Sequence, residues 1–585
     1  MQPLRHFLLA SMLLATSTHA APPAPVAITG ATLVNPADGR VVADSVIVLR
    51  GERIERAGPA AATRVPAGAT VIDARGKWVL PGYVDAHVHF FQSGGLYTRP
   101  DGPNLTKFRS YETERALIRA NLEDTWKRYL ASGVTAVVDV GGPMWNFEVR
   151  ERAGHTDLAP RVAVAGPLIS SEPREILALD DPPIVQASSS AEARALVRAQ
   201  AARKPDLIKI WYLVADDGDP APFRPIVRAA IAESHRLGLR VAVHATELET
   251  ARAAVEEGAD VLVHMVDDRP VDEKLIALLL KKGTLVTTTL GVNERYVRME
   301  TQDWDFTAEE LALGNPDVVG TLFDVWHLPA ADLPQRISRG LAEPRDHVEA
   351  RIQARAAIPA ANLARLEQAG VTIAVGTDAG NPGTLPGPTF FRELERMRDA
   401  GLTPLQILRA ATANGAKVFS PKPAFGTLAP GQLADLVVLD ADPLADIRNA
   451  ARVRAVVKGG RYLETAALLD ESPVAVVQRQ LNAYNAHHLE AFLATYSATA
   501  VLTVPGEAPL EGRDAMRRVY GGFFAHNPGL HCQIVQRTPS GNTVTDHERV
   551  TGLADGTTIE GAATYTVESG LITRVAFGPS TISKR

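Results

Sequence analysis

Cysteine is almost absent from this chain, since Cys532 is the only one among 585 residues. A disulfide within the chain is therefore excluded, and so are metal sites built from several thiolates. Any metal site must be made from histidine, carboxylate or chemically modified lysine side chains.

The chain also lacks a positive charge excess. Its formal net charge is −6 and lysine and arginine are scattered, so nothing suggests a nucleic-acid partner. Beyond the N-terminus no segment has the pattern of a membrane span, and no membrane partner is expected. The composition, 46% apolar and 22% charged, is that of a globular protein, and the length predicts two to four domains.

The N-terminus has the pattern of a targeting segment. Arg5 and His6 precede the apolar run FLLASMLLA, and Thr18-His19-Ala20 supplies the small-residue cleavage site. We therefore predict a signal peptide over residues 1–20 and a periplasmic or secreted protein; a frayed cytosolic N-terminus is the alternative. The run is too short for a stable membrane anchor.

The middle of the chain alternates between apolar strand-like runs and helix-like stretches. Strands buried on both faces give continuous apolar runs, and alternation with helices indicates a parallel sheet. Eight runs occur, namely GYVDAHVHF, VTAVVDVGG, RVAVAGPLI, DLIKIW, RVAVHA, VLVHMV, TLVTTTL and TIAVGTDA. Eight units predict an α/β fold with a (β/α)₈ TIM barrel over residues 81–420, with a doubly wound open sheet as the alternative.

The segments on either side of this region have different sequence patterns. Residues 26–80 and 421–468 read as short strands broken by turns, and we predict that both flanks form one small β-sandwich domain. Residues 474–581 begin with an amphipathic helix, expected over 474–497, and end in alternating strands. This order predicts a C-terminal α+β cone domain with a curved antiparallel sheet.

One connection in the middle region is exceptionally long. Roughly 80 residues separate TLVTTTL from TIAVGTDA, far beyond the usual connection between a strand and its helix. On a barrel this insertion would lie beside the active face, where it either shapes specificity or is purely structural. Its notable residues are Arg295, Tyr296, Arg298, Trp304, Trp326 and His327.

Two histidines, His87 and His89, end the first apolar run. Alternate residues of a strand face the same side, so both imidazoles point together, with Asp85 two residues earlier. Neutral imidazoles suit a divalent cation. Two histidines separated by one residue also occur by chance. They become evidence for a metal site because further candidate ligands end later apolar runs.

Those later residues are Lys209, His244, His264 and Asp378. A lysine within an apolar strand is costly, and its ammonium cannot bind a metal. Carbamylated by CO₂, Lys209 becomes an anion with two oxygens that can bridge two cations; a snorkelling or ion-paired lysine is the alternative. His244 and His264 belong to successive runs, so they should lie on adjacent strands opposite His87.

This set of residues on five strands resembles the amidohydrolase superfamily. LPGYVDAHVH and GTLAPGQLADLVVLD in the flanks are typical of it, and the chain looks like the metal-dependent prolidase and imidazolonepropionase-related branch. The resemblance implies one metal held by His87, His89, Asp378 and carbamylated Lys209. It implies a second metal held by Lys209, His244 and His264, with Zn²⁺ as the expected ion and other divalent metals as the alternative.

The implied reaction is hydrolysis of a C–N bond in an amide, dipeptide or cyclic amide. Hydroxide held between the two metals attacks the carbonyl, and Asp378 shuttles its proton to the leaving nitrogen. We expect a small-molecule substrate bound by Gln92, Tyr97 and Arg99 after the first strand, and by Tyr212 after Lys209; a packing role is the alternative for Tyr212. Lactone or ester hydrolysis uses the same metals and stays an alternative.

The C-terminal region resembles the SnoaL-like, or nuclear-transport-factor-2-like, fold. The likeness rests on NAYNAHHLEAFLATYSATAVL, EGRDAMRRVYGGFFA and ATYTVESGLITRVAF. Members of this fold act as enzymes, binders or dimerisation modules, so a homo-oligomer is a further expectation. The alternative to hydrolysis is a ligand-binding protein that uses this cone domain. The polar residues of this domain that are considered as site residues show no spacing that indicates a catalytic role. They are His487, His488, His526, His531, Asp546 and His547.

Overall fold

A computed structural model describes residues 24–214, 219–469 and 471–584. The predicted signal peptide, residues 1–20, lies outside the described residues. The fold is mixed α/β with a β-rich C-terminal domain. No helix in the described ranges has the length and apolarity needed to cross a membrane.

The strands fall into four groups along the chain. The first five are β1 (Val26–Asn35), β2 (Arg40–Arg50), β3 (Arg53–Pro59), β4 (Thr70–Asp73) and β5 (Trp78–Pro81). The middle ten are β6 (Tyr83–Val88), β7 (Val134–Asp139), β8 (Arg161–Val164), β9 (Leu168–Ser170), β10 (Ile184–Gln186), β11 (Leu207–Trp211), β12 (Arg240–His244), β13 (Val261–Val263), β14 (Leu285–Thr287) and β15 (Ile373–Ala374). Next come β16 (Leu436–Leu439), β17 (Val453–Lys458) and β18 (Arg461–Glu464). The last six are β19 (Tyr496–Thr503), β20 (Leu510–Glu511), β21 (His531–Ser540), β22 (Thr543–Thr551), β23 (Thr557–Glu568) and β24 (Leu571–Lys584).

Helices separate most of the middle strands. Those before β14 are α1 (Tyr111–Ala120), α2 (Leu122–Ala131), α3 (Asn146–Ala153), α4 (Ser190–Ala201), α5 (Arg224–Arg236), α6 (Leu248–Glu257) and α7 (Glu273–Lys282). The insertion after β14 holds α8 (Val292–Thr301), α9 (Ala308–Leu313), α10 (Pro316–Thr321), α11 (Gln335–Leu341) and α12 (Arg345–Gln368). The rest are α13 (Thr389–Asp399), α14 (Pro404–Arg409), α15 (Gly415–Phe419), α16 (Pro473–Asn485), α17 (Leu489–Ala494) and α18 (Arg513–His526).

Both flanks contribute to one sheet of eight strands. Its order is β18-β17-β16-β5-β1-β2-β3, and β4 pairs with β1. The join is the antiparallel pairing of β16 with β5, from Leu436 opposite Pro81 to Leu439 opposite Trp78. Strands from both flanks share one apolar core, with Ile28 and Ile47 from the first and Leu436 from the second.

The middle strands are parallel and occur in two hydrogen-bonded sheets. One sheet is β6-β7-β8 and the other is β10-β9-β11-β12-β13-β14-β15. Every residue of β6 and β7 is buried, as continuous apolar strands between layers require. Further backbone hydrogen bonds join the sheets, from Asp206 N–H to the Val164 carbonyl and from Ala86 N–H to the Val375 carbonyl.

Two predicted elements differ from those observed. The run RVAVAGPLI forms two strands, β8 and β9, because Pro167 lacks an N–H group and interrupts the ladder. The helix expected over 474–497 is divided into α16 and α17. The break falls at His487, whose φ of 51° lies in the left-handed region and cannot continue a helix.

The insertion packs against the C-terminal domain. Apolar residues of both, including Phe323 and Val325 of the insertion and Val477 and Phe492 of the C-terminal domain, belong to one buried cluster. A buried hydrogen bond runs from Asn482 Nδ2 to the Pro316 carbonyl at 2.7 Å. The insertion therefore connects the middle strands, from which it extends, with the C-terminal domain.

The C-terminal domain is a six-stranded sheet packed against three helices. Its strand order is β20-β19-β24-β23-β22-β21, with β19 and β24 parallel and the other pairs antiparallel. Helices α16 and α17 contact each other, and α18 packs near α17 and β19. This agrees with the α+β architecture expected from the sequence.

Candidate metal centre and substrate cavity

The two histidines of the first middle strand lie side by side, as the alternation predicts. His87 is fully buried and His89 is 8% exposed, and their ring centroids are 5.3 Å apart. His89 Nδ1 is 2.6 Å from the Gly141 carbonyl, which only accepts hydrogen bonds. Nδ1 therefore carries the ring proton, and the Nε2 lone pair of His89 is left facing the cavity.

Asp378 meets both imidazoles. Its Oδ1 is 3.4 Å from His87 Nε2 and 3.2 Å from His89 Nε2. The backbone places it there, because Asp378 N–H donates to the His87 carbonyl at 2.8 Å. Gly376 permits the approach, since a Cβ at this position would lie 2.6 Å from His87 Cβ.

The fifth and sixth strands of the predicted series, β12 and β13, are adjacent and supply the other two histidines. The ring of His264 lies 4.4 Å from that of His244 and 4.7 Å from that of His87, measured between centroids. His264 Nδ1 is 2.7 Å from Thr289 Oγ1, which leaves Nε2 of His264 for a ligand. The predicted histidines therefore form one cluster.

Three residues of the centre have strained backbones. His264, Thr289 and Asp378 have φ angles of 79°, 57° and 58°, which side chains with a Cβ rarely adopt. Such conformations persist where surrounding structure enforces them, and they cluster at functional sites. Here they turn side chains at strand ends toward a shared point.

Lys209 is 1% exposed and lines the same cavity. Burial lowers its pKa to about 7, with Asp378 and Asp139 opposing the shift. The amine is thus uncharged in a substantial fraction near neutral pH, and the uncharged amine is the form that reacts with CO₂. Burial likewise holds the pKa of His87 well below its usual value, and lowers that of His264 to about 3.

Asp378 behaves in the opposite way. Burial by itself raises the pKa of this carboxyl, but the neighbouring imidazoles of His87 and His89 outweigh burial and hold the pKa well below its usual value. The centre therefore combines imidazole nitrogens with a carboxylate, a donor set suited to a divalent cation.

A cavity of about 370 Å³ opens over this cluster. One wall is apolar and includes Phe91, Leu168, Ile184 and Trp211. Helices α8 and α12 of the insertion complete the opposite wall, with Tyr296 and Ile352 among the lining residues. The insertion thus lies at the cavity, one of the two outcomes that its position allowed.

The four substrate-binding candidates divide into two pairs. Gln92 and Arg99 line the cavity, but the guanidinium of Arg99 is already paired with Asp101 at 2.6 and 2.7 Å. Tyr97 and Tyr212 are not among the described residues that line the cavity. Tyr97 donates to Asp324, and Tyr212 donates to the Pro220 carbonyl at 2.5 Å.

Other insertion residues serve the scaffold. Arg295 is fully buried and pairs with Asp305 at 2.8 Å and Glu310 at 3.2 Å. Arg298 pairs with Glu349 at 2.7 Å, and Trp304 is buried. Trp326 is 52% exposed, and Nε2 of His327 meets Nε2 of His531 in the C-terminal domain.

Sequence reasoning missed several residues around the centre. Asp139 ends β7 and accepts hydrogen bonds from Phe90 N–H, Gly141 N–H and Asn146 Nδ2. Its position after an apolar strand is the signal that singled out Lys209, so it was detectable. Asn381, which accepts from Arg99 and Tyr296 at 3.0 and 2.6 Å, has no comparable signal because its partners are distant in sequence.

The residues present fit a metal ion. His87 Nε2 and Asp378 Oδ1 are buried and have no hydrogen-bond partner among the described residues. Within that part of the chain, ligand atoms of His87, His264 and Asp378 lie within 4.8 Å of one another. Ligands held at about 2.1 Å in a tetrahedron lie about 3.4 Å apart, which matches the contacts of Asp378 with the two imidazoles.

The chain belongs to the amidohydrolase family, whose model matches residues 78–463. A model of the SnoaL-like domain matches residues 477–575. Both families predicted from the sequence motifs are thereby confirmed.

Similar proteins are hydrolases of this family. The ochratoxinase of Aspergillus niger is 26% identical over 472 residues, covering 75% of this chain and 87% of that protein. An imidazolonepropionase of Streptomyces griseus is 25% identical over 425 residues, covering 68% and 87%. Among solved structures, an Xaa-Pro dipeptidase with bound methionine in its active site superposes with a TM-score of 0.57 at 23% identity. That superposition covers 75% of this chain and all of that one.

Proposed function

We propose that this protein is an exported metal-dependent amidohydrolase that hydrolyses a C–N bond in an amide, dipeptide or cyclic amide. The observation that carries the proposal is the contact of Asp378 Oδ1 with both His87 Nε2 and His89 Nε2, in a buried cluster that also holds His264. Membership of the amidohydrolase family, which generally binds divalent metals, supports it. Export rests on the N-terminal segment alone.

The same proposal includes closure of the middle strands into a (β/α)₈ barrel. The parallel bridge between Val88 and Ala379 and the hydrogen bond from Asp206 N–H to the Val164 carbonyl support it, since they connect the two groups of middle strands at two separate places. In a closed barrel all the cluster residues lie at the carboxyl ends of strands, where active sites of this fold occur.

We assign the metal ligands as the family resemblance implies. His87, His89, Asp378 and carbamylated Lys209 would hold one ion, and Lys209, His244 and His264 the second, with Zn²⁺ as the proposed ion. Bound divalent ions supply a water of lowered pKa and polarise the carbonyl of the substrate.

The side chains around the centre perform the remaining tasks. Asp378 is ionised and is placed to accept a proton and pass it to the leaving nitrogen. The N–H of His89 donates to Gly141 and fixes its ring orientation. Gln92 is 3% exposed, and its Oε1 has no partner among the described residues, so it is available to orient a substrate amide.

The cavity favours a substrate with an apolar group beside the scissile bond. Phe91, Leu168 and Trp211 provide a wall that excludes water and buries apolar surface. Arg99 is neutralised by Asp101, so a substrate carboxylate gains less from it than a free arginine would provide. These features support N-acyl amino acids with apolar side chains as the first compounds to examine.

A substrate screen of the purified, metal-loaded protein tests this function. N-acyl amino acids, X-Pro dipeptides and cyclic amides are compared with lactones and esters of matching shape. Amide hydrolysis that is lost in Asp378→Asn, and retained in the exposed control Asp38→Asn, supports the proposal. Turnover of lactones or esters alone would replace it with a lactonase or esterase, and binding without turnover would indicate a ligand-binding protein.

A further inference from the structure

The C-terminal domain contains a second cavity, of about 470 Å³. It lies between the helices α16 and α18 and the face of the sheet formed by β22, β23 and β24. Val504 and Val519, 40% and 52% exposed, are among its lining residues. It shares no lining residue with the cavity over the metal centre, so it is a separate site.

Aromatic side chains dominate its walls. Six rings line it, those of Tyr484, Tyr496, Tyr520, Phe523, Tyr565 and Phe577. Aromatic faces carry negative electrostatic potential and attract cations, and rings grouped around one space are the usual receptors for ammonium groups.

A carboxyl group faces the same space. Glu548 lines the cavity from β22, and Tyr565 on the neighbouring strand donates to its Oε1 at 2.6 Å. A carboxylate accepts several hydrogen bonds, so Glu548 can accept further hydrogen bonds beside the one from Tyr565. The alternation of β22 turns Glu548 inward with Val544 and Asp546, while His547 and Arg549 are exposed.

Compensating positive charge is missing from the walls. Among the described residues that line the cavity there is no lysine, arginine or histidine, whereas Glu507 adds a second carboxyl. Arg537 on the neighbouring strand β21 is paired with Asp546 at 2.7 and 2.8 Å and donates to Gln478. The cavity walls therefore leave the place of a positive partner beside Glu548 to a bound ligand.

We propose that this cavity binds an organic cation, an ammonium group attached to an apolar or aromatic body. The ammonium pairs with Glu548 among the tyrosine rings, and the body packs against Leu481, Phe523 and Val550. Anionic ligands are disfavoured, because two carboxyls and no cation line the described part of the site. The C-terminal domain thus has a ligand selectivity of its own, independent of the hydrolytic centre.

Three probes of equal shape and different charge test this proposal on the full chain. The ammonium probe is 2-naphthylmethylamine, the neutral probe is 2-naphthylmethanol and the anionic probe is 2-naphthoate, with binding measured by calorimetry. We expect the ammonium to bind at least about tenfold more tightly than the alcohol, and the carboxylate to bind most weakly. Equal affinities, or preference for the carboxylate, in the wild-type protein would overturn the proposal.

Two substitutions locate the selectivity. Glu548→Gln removes the charge but keeps an acceptor for Tyr565, and it should reduce the preference for the ammonium at least about fivefold. Glu560→Gln changes an outward carboxylate paired with Arg549 on the same sheet, and it should leave the preference intact. A preference that survives in Glu548→Gln would place the cation elsewhere and contradict the assignment.

Discussion

Asp378 and His87 are joined twice, once through the backbone and once through their side chains. The N–H of Asp378 donates to the carbonyl of His87 at 2.8 Å, and Asp378 Oδ1 lies 3.4 Å from His87 Nε2. The first contact aligns two strand ends that are far apart in sequence. The second brings an ionised carboxylate against a neutral imidazole, which is the arrangement of two ligands of one ion.

Removal of metal should destabilise the protein as well as inactivate it. Without an ion, His87 Nε2 and Asp378 Oδ1 are buried with no hydrogen-bond partner among the described residues, and an ion bound only by the folded state adds to stability. Dialysis against a chelator should lower the melting temperature by roughly 5 °C or more, and Zn²⁺ should restore it. Identical melting curves before and after chelation, with metal loss verified, would argue against a built site.

Lys209→Ala should abolish hydrolysis, by about a thousandfold or more, because carbamylated Lys209 would be a ligand of both proposed ions. Bicarbonate with a short-chain carboxylic acid should restore part of the activity, since the acid replaces the carbamate oxygens. The wild-type protein equilibrated with ¹³C-bicarbonate should show a carbamate signal by NMR that this variant lacks.

A matched control for Lys209 is Lys458, which is also a buried lysine on a β-strand. It is 6% exposed and lies on β17, away from the metal centre. Lys458→Ala should keep both the activity and the carbamate signal. Full activity of Lys209→Ala, without added acid, would show that no carbamate bridge is needed.

Asn381→Ala should weaken both the fold and catalysis. Asn381 accepts from Arg99 and Tyr296 and donates to the Asp378 carbonyl at 3.0 Å, so its loss leaves buried donors unpaired. We expect a loss of about 2–4 kcal/mol in unfolding free energy, and a decrease in kcat as Asp378 loses its support. Chemical denaturation and steady-state kinetics measure both effects. Asn104→Ala, whose side chain bonds only within its own exposed turn, should change neither.

The C-terminal carboxyl Glu548 predicts a pH dependence of stability. Burial raises its pKa from 4.5 to about 7, with its hydrogen bond to Tyr565 opposing the shift. A carboxyl with a raised folded-state pKa contributes its full stability below about pH 4.5 and loses that contribution as the pH rises through about 7. Glu548→Gln should therefore gain about 1–3 kcal/mol relative to wild type between pH 5 and pH 8. Urea titrations at both pH values measure this gain, and an equal difference at both would refute it.

The alternation of strand residues explains where the structure places several of the residues predicted from the sequence. It correctly brought His87 and His89 to the same face. Applied to β11 it places Lys209 and Trp211 on the cavity side and Tyr212 on the other, as the structure shows. Tyr212 follows Lys209 by three positions, an odd number, and so faces away from the cavity, which its sequence position alone did not reveal.

Contacts between segments that are distant along the chain could not be predicted from the sequence. The pairing of Arg99 with Asp101 is local, but its hydrogen bond to Asn381 depends on how two strand ends meet. The packing of the insertion on the C-terminal domain depends on apolar surfaces, such as that of Phe323, whose partners carry no recognisable pattern. The strand series was predictable because each strand bears its own periodic signal.

The measurement that tests the central proposal most directly is the metal content of the purified protein, determined by elemental mass spectrometry. The amide hydrolase activity of the same sample is measured in parallel. The two-ion centre predicts about two divalent ions per chain in the wild type. His87→Ala should lose at least about one of them together with activity, while the exposed control His547→Ala keeps both. Fewer than about one ion per active wild-type chain, or unchanged metal content and activity in His87→Ala, would contradict the account.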